Sequence, residues 1–184
     1  MANEPFVFSD DVKVSGDTRW LRRDEFSAML ASYIAAYNYI SASALAAWFQ
    51  AVEVYQTGAT QSILNTTWST IAWVGEHFDT GGMHAANSAD FVIVKAGTYF
   101  VYTGIKWAGN GAGSRLIAIR KNYATEISIE EAGYANNQLQ ILQRSWNLAV
   151  GDTLTVDIYQ SSGGALNMIC GDYESYFGAF RTGP

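Results

Sequence analysis

The residues able to do chemistry are few, and their spacing is poor for catalysis. His77 and Asp79 stand two apart, the minimum for a general base and its orienting carboxylate, but no serine or cysteine nucleophile is tied to them. Their segment, His77-Phe-Asp-Thr-Gly-Gly-Met-His84, reads as a surface loop. Glu130-Glu131 and Asp172 with Glu174 are acidic pairs of the kind a hard cation uses, but the spacing matches no calcium loop. His77 and His84 have no partner cysteines. Gly109-x-Gly111-x-Gly113 imitates a nucleotide loop but continues into the strand-like run 115–120, whereas a dinucleotide site requires a helix. Gly-x-Ser-x-Gly, His-Glu-x-x-His and the phosphate loop do not occur. The single Cys170 excludes an intrachain disulfide and reads as a small buried hydrophobe. The expectation is a non-enzyme with no catalytic residue, no metal ligands and no cofactor.

What remains is binding chemistry on loops. Polar tips at 108–114, 131–137 and 161–164 are the available surfaces. Within the second, Tyr134, Asn136, Asn137 and Gln138 combine an aromatic ring for stacking with amides for hydrogen bonds, a mix suited to a glycan.

The elements that must carry these tips are short strands. From about residue 65 onward, apolar runs are cut by glycine at nearly regular intervals. The runs include Thr67-Trp-Ser-Thr-Ile-Ala-Trp-Val74, Phe91-Val-Ile-Val94, Leu116-Ile-Ala-Ile119 and Leu154-Thr-Val-Asp-Ile-Tyr159. About eight to ten such strands make a two-sheet sandwich. After a turn at Lys95-Ala-Gly97, Tyr99, Val101, Thr103, Ile105 and Trp107 share one strand face, while Thr98, Phe100, Tyr102, Gly104 and Lys106 share the other. Both faces carry aromatics, so neither is fully solvated.

The part ahead of this domain differs. Glycine is scarce there, and residues 26–52 carry no charge. Serine, asparagine and glutamine interrupt that stretch, so membrane insertion is not expected. Phe26, Leu30, Tyr33, Tyr37, Ile40, Ala44, Ala47, Ala51 and Val54 follow a 4-3 rhythm, a heptad seam that predicts a helix packed against copies of itself. The alternatives are one helix on its own domain or a broken hairpin. The organisation expected is an anchoring segment at 1–20, a helical segment at 21–56 and a β-domain at 62–184. The net charge of −6, with scattered basic residues, excludes a nucleic-acid footprint.

Four segments in order resemble the jelly-roll domain of the C1q and tumour-necrosis-factor superfamily, particularly its versions in phage tail and fibre proteins. They are Phe78-Asp-Thr-Gly-Gly-Met83, Val94-Lys-Ala-Gly-Thr-Tyr-Phe-Val-Tyr102, Leu148-Ala-Val-Gly-Asp-Thr-Leu-Thr-Val156 and Tyr176-Phe-Gly-Ala-Phe180. The resemblance covers about two-thirds of the chain, and no collagen-like stalk precedes it. It implies a mainly β, antiparallel jelly-roll sandwich behind an N-terminal α-helical segment. It also implies a homotrimer, with Tyr99, Tyr102 and Phe180 as candidates for the threefold interface. The function expected on this resemblance is that of a virion structural protein, fibre, spike or tail-associated. Its N-terminal segment would contact other virion proteins, and its jelly roll would bind a host-surface glycan or protein. The alternative is a soluble bacterial C1q-like ligand- or glycan-binding module.

Overall fold

Alternating strands with one apolar face are stable only when two sheets cover each other, and the computed structural model has that arrangement. It describes residues 11–13, 20–22, 28 and 49–184, and of 11–13, 20–22 and 125–128 the backbone alone. Two compact units divide between Ala47 and Trp48. In the first, β1 (Asp11–Lys13) pairs antiparallel with β2 (Trp20–Arg22), Val12 opposite Leu21. The helical segment expected at 21–56 is corrected at both ends. Trp20–Arg22 is a strand, and so is β3 (Ala51–Tyr55). Ala51 and Val54 fit a heptad, but Ala-Val-Glu-Val-Tyr also alternates, and strand pairing on both edges of β3 decides for extended backbone. The seam residues Phe26, Leu30, Tyr33, Tyr37, Ile40, Ala44 and Ala47 lie outside the described residues.

The second unit continues with β4 (Thr60–Ile63), β5 (Ser69–Thr70), β6 (Gly75–Asp79), β7 (Phe91–Val92), β8 (Gly97–Trp107) and β9 (Ser114–Lys121). It ends with β10 (Ala124–Ala132), β11 (Gln138–Leu148), β12 (Thr153–Gln160), β13 (Leu166–Ile169) and β14 (Tyr176–Gly183). Its first sheet is centred on β8. β11 pairs along the whole of one edge of β8, and β14 and β13 share the other. β3 and β6 follow beyond β14, and β4 pairs with β13. The second sheet runs β10-β9-β12-β5, with β7 also on β12. Every pairing is antiparallel. The jelly-roll sandwich expected from the glycine-cut strands is therefore present.

The inner faces make the core. Tyr99, Val101, Ile105 and Trp107 of β8 meet Ile117, Ile119, Val156 and Ile158 of the opposite sheet, all fully buried. Phe91 of the second sheet stacks on Phe177 of the first, ring centroids 4.2 Å apart and 7° from parallel. Burying one such ring contributes about 1.5–3 kcal/mol. Trp68, Ile71 and Trp73 do not share one face. β5 ends at Thr70, so Ile71 and Trp73 turn into the core while Trp68 stays exposed.

The Gly-Asp turn is held by its acid. Asp152 accepts from the Ala149 N–H at 2.7 Å and Asn122 Nδ2 at 2.8 Å, with Lys121 Nζ at 3.1 Å. Burial pushes its carboxyl up, but these partners outweigh that and hold it below the usual value.

The outer face of the first sheet uses glycine where tyrosine must pack close. Tyr55 is the cross-strand partner of Gly75, Tyr102 of Gly178 and Tyr176 of Gly104. At each glycine an added Cβ would fall under 3.0 Å from the partner's ring. Gly178→Ala is therefore expected to lower stability by about 1–3 kcal/mol through overpacking, read as a lower urea midpoint. Gly183→Ala, which would meet nothing within 4 Å, should stay within about 0.5 kcal/mol of the parent. Equal losses in the two variants would refute the close approach.

Candidate functional site

Strand register arranges the outer face of the first sheet in rows. One row runs Ser145, Phe100, Phe180, Ala51. The next runs Gln143, Tyr102, Gly178, Glu53, Phe78, and the third Ile141, Gly104, Tyr176, Tyr55, Gly75. Phe100 and Phe180 lie 5.3 Å apart, and Tyr102 and Phe180 6.3 Å. Phe180 is 37% exposed, and on β11 Leu139 and Ile141 are 46% and 49% exposed. Apolar side chains thus run across β11, β8 and β14 on this face.

A carboxylate sits inside the aromatic paving. The Tyr102 hydroxyl donates to Glu53 Oε2. Glu53 Oε1 lies 2.7 Å from His77 Nδ1, and His77 Nε2 bonds Asp172 Oδ1. A neutral imidazole has one N–H, so only the protonated ring donates to both acids. Tyr55 stacks on that ring at 4.6 Å. The bond to Asp172, then that to Glu53, raise the His77 pKa above 6.5. Burial, followed by the hydrogen bond to Glu53, pushes the Tyr102 phenol up, and burial with Glu53's charge does the same to Tyr176. Beside this chain lies a cleft of about 350 Å³ lined by Glu53, Tyr102, Asp172, Tyr173 and Tyr176.

The loop tips gather at one end of the sandwich. The Asn110 N–H donates to Tyr134 O at 2.7 Å, and the Gly109 N–H to Asn137 Oδ1 at 3.2 Å. The Ser114 N–H donates to Ser161 Oγ at 2.9 Å, and the Gly163 N–H to Asn65 Oδ1 at the same distance. Arg115 organises this end. It is 1% exposed, and its guanidinium donates to the carbonyls of Asn110, Ala112 and Ser114 at 2.9–3.1 Å. Burial lowers its pKa.

The structure separates the residues singled out in the sequence. Tyr102 and Phe180 share the outer face. Tyr99 lies in the core, its hydroxyl donating to Lys95 O at 2.8 Å, so it is not part of that surface. Tyr134, Asn136 and Asn137 are exposed on the loop end. Gln138 is half-buried and donates to Glu131 Oε2 at 2.6 Å. His77 lies on β6, not in a loop, and its acids are Glu53 and Asp172 rather than Asp79. Asp79 instead accepts the N–H groups of Gly81 and His84. Glu174 pairs with Lys106. Among the described residues no group of three or more His, Cys, Asp or Glu is placed to hold a metal, and no helix is long and apolar enough to cross a membrane. Cys170 is buried, and burial raises its thiol pKa. Sequence reasoning missed Glu53, Tyr55 and Tyr176. The signal for the two tyrosines was a glycine directly opposite, visible only once register is known; Glu53 had no such signal.

No family model matches the chain, and no curated protein matches its sequence. Solved structures do. Eiger TNF from S. frugiperda matches with a TM-score of 0.55 at 13% identity, over 73% of this chain and 92% of that one. The globular domain of zebrafish complement C1qA matches at 0.53 and 12%, over 72% and 96%. Murine APRIL matches at 0.55 and 10%, over 73% and 99%. At such identities the likeness shows the fold alone, a C1q/TNF-like jelly roll. The matches correct the expected function. The virion structural protein, its tail-fibre and coiled-coil attributes and its virion location are overturned, because the structures sharing the fold are a TNF, a complement chain and APRIL.

The His77 chain has a definite pH sign. Its folded pKa is raised, so the stabilisation is complete below pH 6.5 and is lost as pH climbs through the folded value. An NMR titration should place the His77 midpoint above 6.5, and Asp172→Asn should move it down. A midpoint at or below 6.5 would contradict the bridged arrangement.

Proposed function

We propose that the β-domain is a non-catalytic recognition module of the C1q/TNF-like type that associates with copies of itself, as a homotrimer, and binds ligands without turning them over. The observation that carries this reading is the apolar outer face of the first sheet, where Phe100, Tyr102, Phe180, Leu139 and Ile141 run across three strands. An apolar surface of this extent calls for a partner. A second copy fits best, because the fold matches lie with a family in which this fold generally assembles in threes. In a closed symmetric assembly each contact is repeated, so one substitution acts at every interface.

The loop end supports the ligand-binding half of the reading. Its backbone groups are engaged internally and Arg115 is buried beneath it, so the exposed Tyr134, Asn136 and Asn137 stand on a pre-ordered base. Glycans are one class that a tyrosine ring beside two amides can bind.

Mass measurement in solution tests the assembly. At micromolar concentration the chain of 20.1 kDa should run as a species of about 60 kDa, three times its own mass. Ile141→Asp and Phe180→Asp should each give the 20.1 kDa species with an unchanged circular dichroism spectrum, because each copy would bring a charge into an apolar contact. A parent protein found as a monomer would overturn the proposal.

A further inference from the structure

We infer that the cleft between Glu53, Tyr102, Asp172, Tyr173 and Tyr176 is a binding site for a small quaternary ammonium compound. Its volume of about 350 Å³ lies at the small end of ligand sites. Among the described residues five line it, and three of those are tyrosines. Tyr102 and Tyr176 stand 6.2 Å apart with 55° between their planes, so they form two walls of a corner. Each of those rings packs closely over the glycine opposite, which fixes the walls without a ligand. Tyr173 is 82% exposed and lies on the rim.

The charges favour a cation. Glu53 and Asp172 both line the cleft, and among the described residues no lysine or arginine does. Lys106, the nearby base, is already paired with Glu174. His77 stands between the two acids, so the set carries a net −1 with the ring protonated and −2 with it neutral. Tyr102 and Tyr176 stay neutral through this range, since burial raises both phenols.

The hydrogen bonds select the kind of cation. Glu53 is occupied at both oxygens, by Tyr102 and by His77, and Asp172 is occupied at Oδ1. A primary ammonium needs acceptors for three N–H groups; Asp172 Oδ2 and the spare lone pairs of the other carboxylate oxygens supply part of that set, but the tyrosine faces that make up most of the described lining supply none. A quaternary ammonium has no N–H. It needs only aromatic faces and a negative field, and both are present. The cleft shares Tyr102 with the apolar face proposed above for self-association but extends from it toward β3 and the turn at Asp172 and Tyr173, so the inference requires that any assembly leave that side of Tyr102 open.

The test is an NMR titration of the full chain with choline chloride, alongside 3,3-dimethylbutanol, its uncharged isostere, with solution mass recorded on the same samples. Choline should bind saturably with a Kd on the order of 1 mM, and the shifts should centre on Tyr102, Tyr173 and Tyr176. The isostere should bind at least about 10-fold more weakly if the cation–π attraction dominates. Tyr173→Ala, a change at an exposed rim position that should not affect folding, should weaken choline about 3- to 30-fold. Raising the pH through the His77 titration should tighten binding, because the cleft gains a negative charge. Equal binding of the isostere, an unchanged affinity in Tyr173→Ala, or no saturable binding by about 50 mM would each overturn the inference. The mass record reads the oligomer independently, so a monomer that binds choline refutes only the assembly, and a trimer that does not refutes only the site.

Discussion

A β-sheet has two faces, and the first sheet of this protein covers one of them with its own side chains. Its inner face is buried by the second sheet. Its outer face carries tyrosine rings packed close over the backbone, and that approach is possible because the directly opposite residue on the next strand is glycine. Three such pairs, Tyr55 with Gly75, Tyr102 with Gly178 and Tyr176 with Gly104, tie β3 to β6 and β14 to β8. Glycine normally weakens a strand because it has nothing to pack. Here the ring from the neighbour fills the gap, a device known from designed sheets. The apolar surface, the cleft walls and the position of Glu53 all depend on this paving.

Charge is placed inside the aromatic face with its partners supplied. Glu53 would be costly beneath tyrosines if left alone. Tyr102 and His77 each take one of its oxygens, and Asp172 takes the other side of the imidazole. The loop end solves the opposite problem. Arg115 is buried, and three backbone carbonyls receive its protons while the Trp107 ring centroid lies 5.9 Å from its guanidinium carbon. In both places an ion with its partners supplied orders its surroundings, at β3 the half-buried Glu53 in the aromatic surface and at the loop end the buried Arg115 beneath the three connecting tips.

The functional expectation was wrong for a reason that lies in the motifs themselves. Phe78-Asp-Thr-Gly-Gly-Met83, the Gly-Asp turn and the closing aromatic strand report backbone geometry: a turn at Gly151 with φ of +87°, a carboxylate capping it, and an aromatic strand edge-paired on both sides. Those features belong to the jelly roll as such. They carry no information about whether its surface meets a virion, a receptor or a small molecule, because function resides in sites grafted on a fold.

Local chemistry made much of this protein legible from its sequence. Glycine-cut alternation located β8, β9, β12 and β14, and it assigned the two faces of β8 correctly, because side-chain direction along a strand alternates whatever the strand pairs with. It also read Cys170 as a buried hydrophobe. What periodicity could not do was choose between a helix and a strand for Ala51–Tyr55, where five residues satisfy both rhythms until β14 and β6 supply hydrogen-bonding edges. Nor could it place Tyr99 in the core and Tyr102 outside it, because naming a face does not say which face is covered. The Glu53–His77–Asp172 chain joins residues 24 and 95 positions apart. The pairing of β3 with β6 brings Glu53 to His77, and the turn between β13 and β14 brings Asp172 to the ring's other side; neither is written in any single segment.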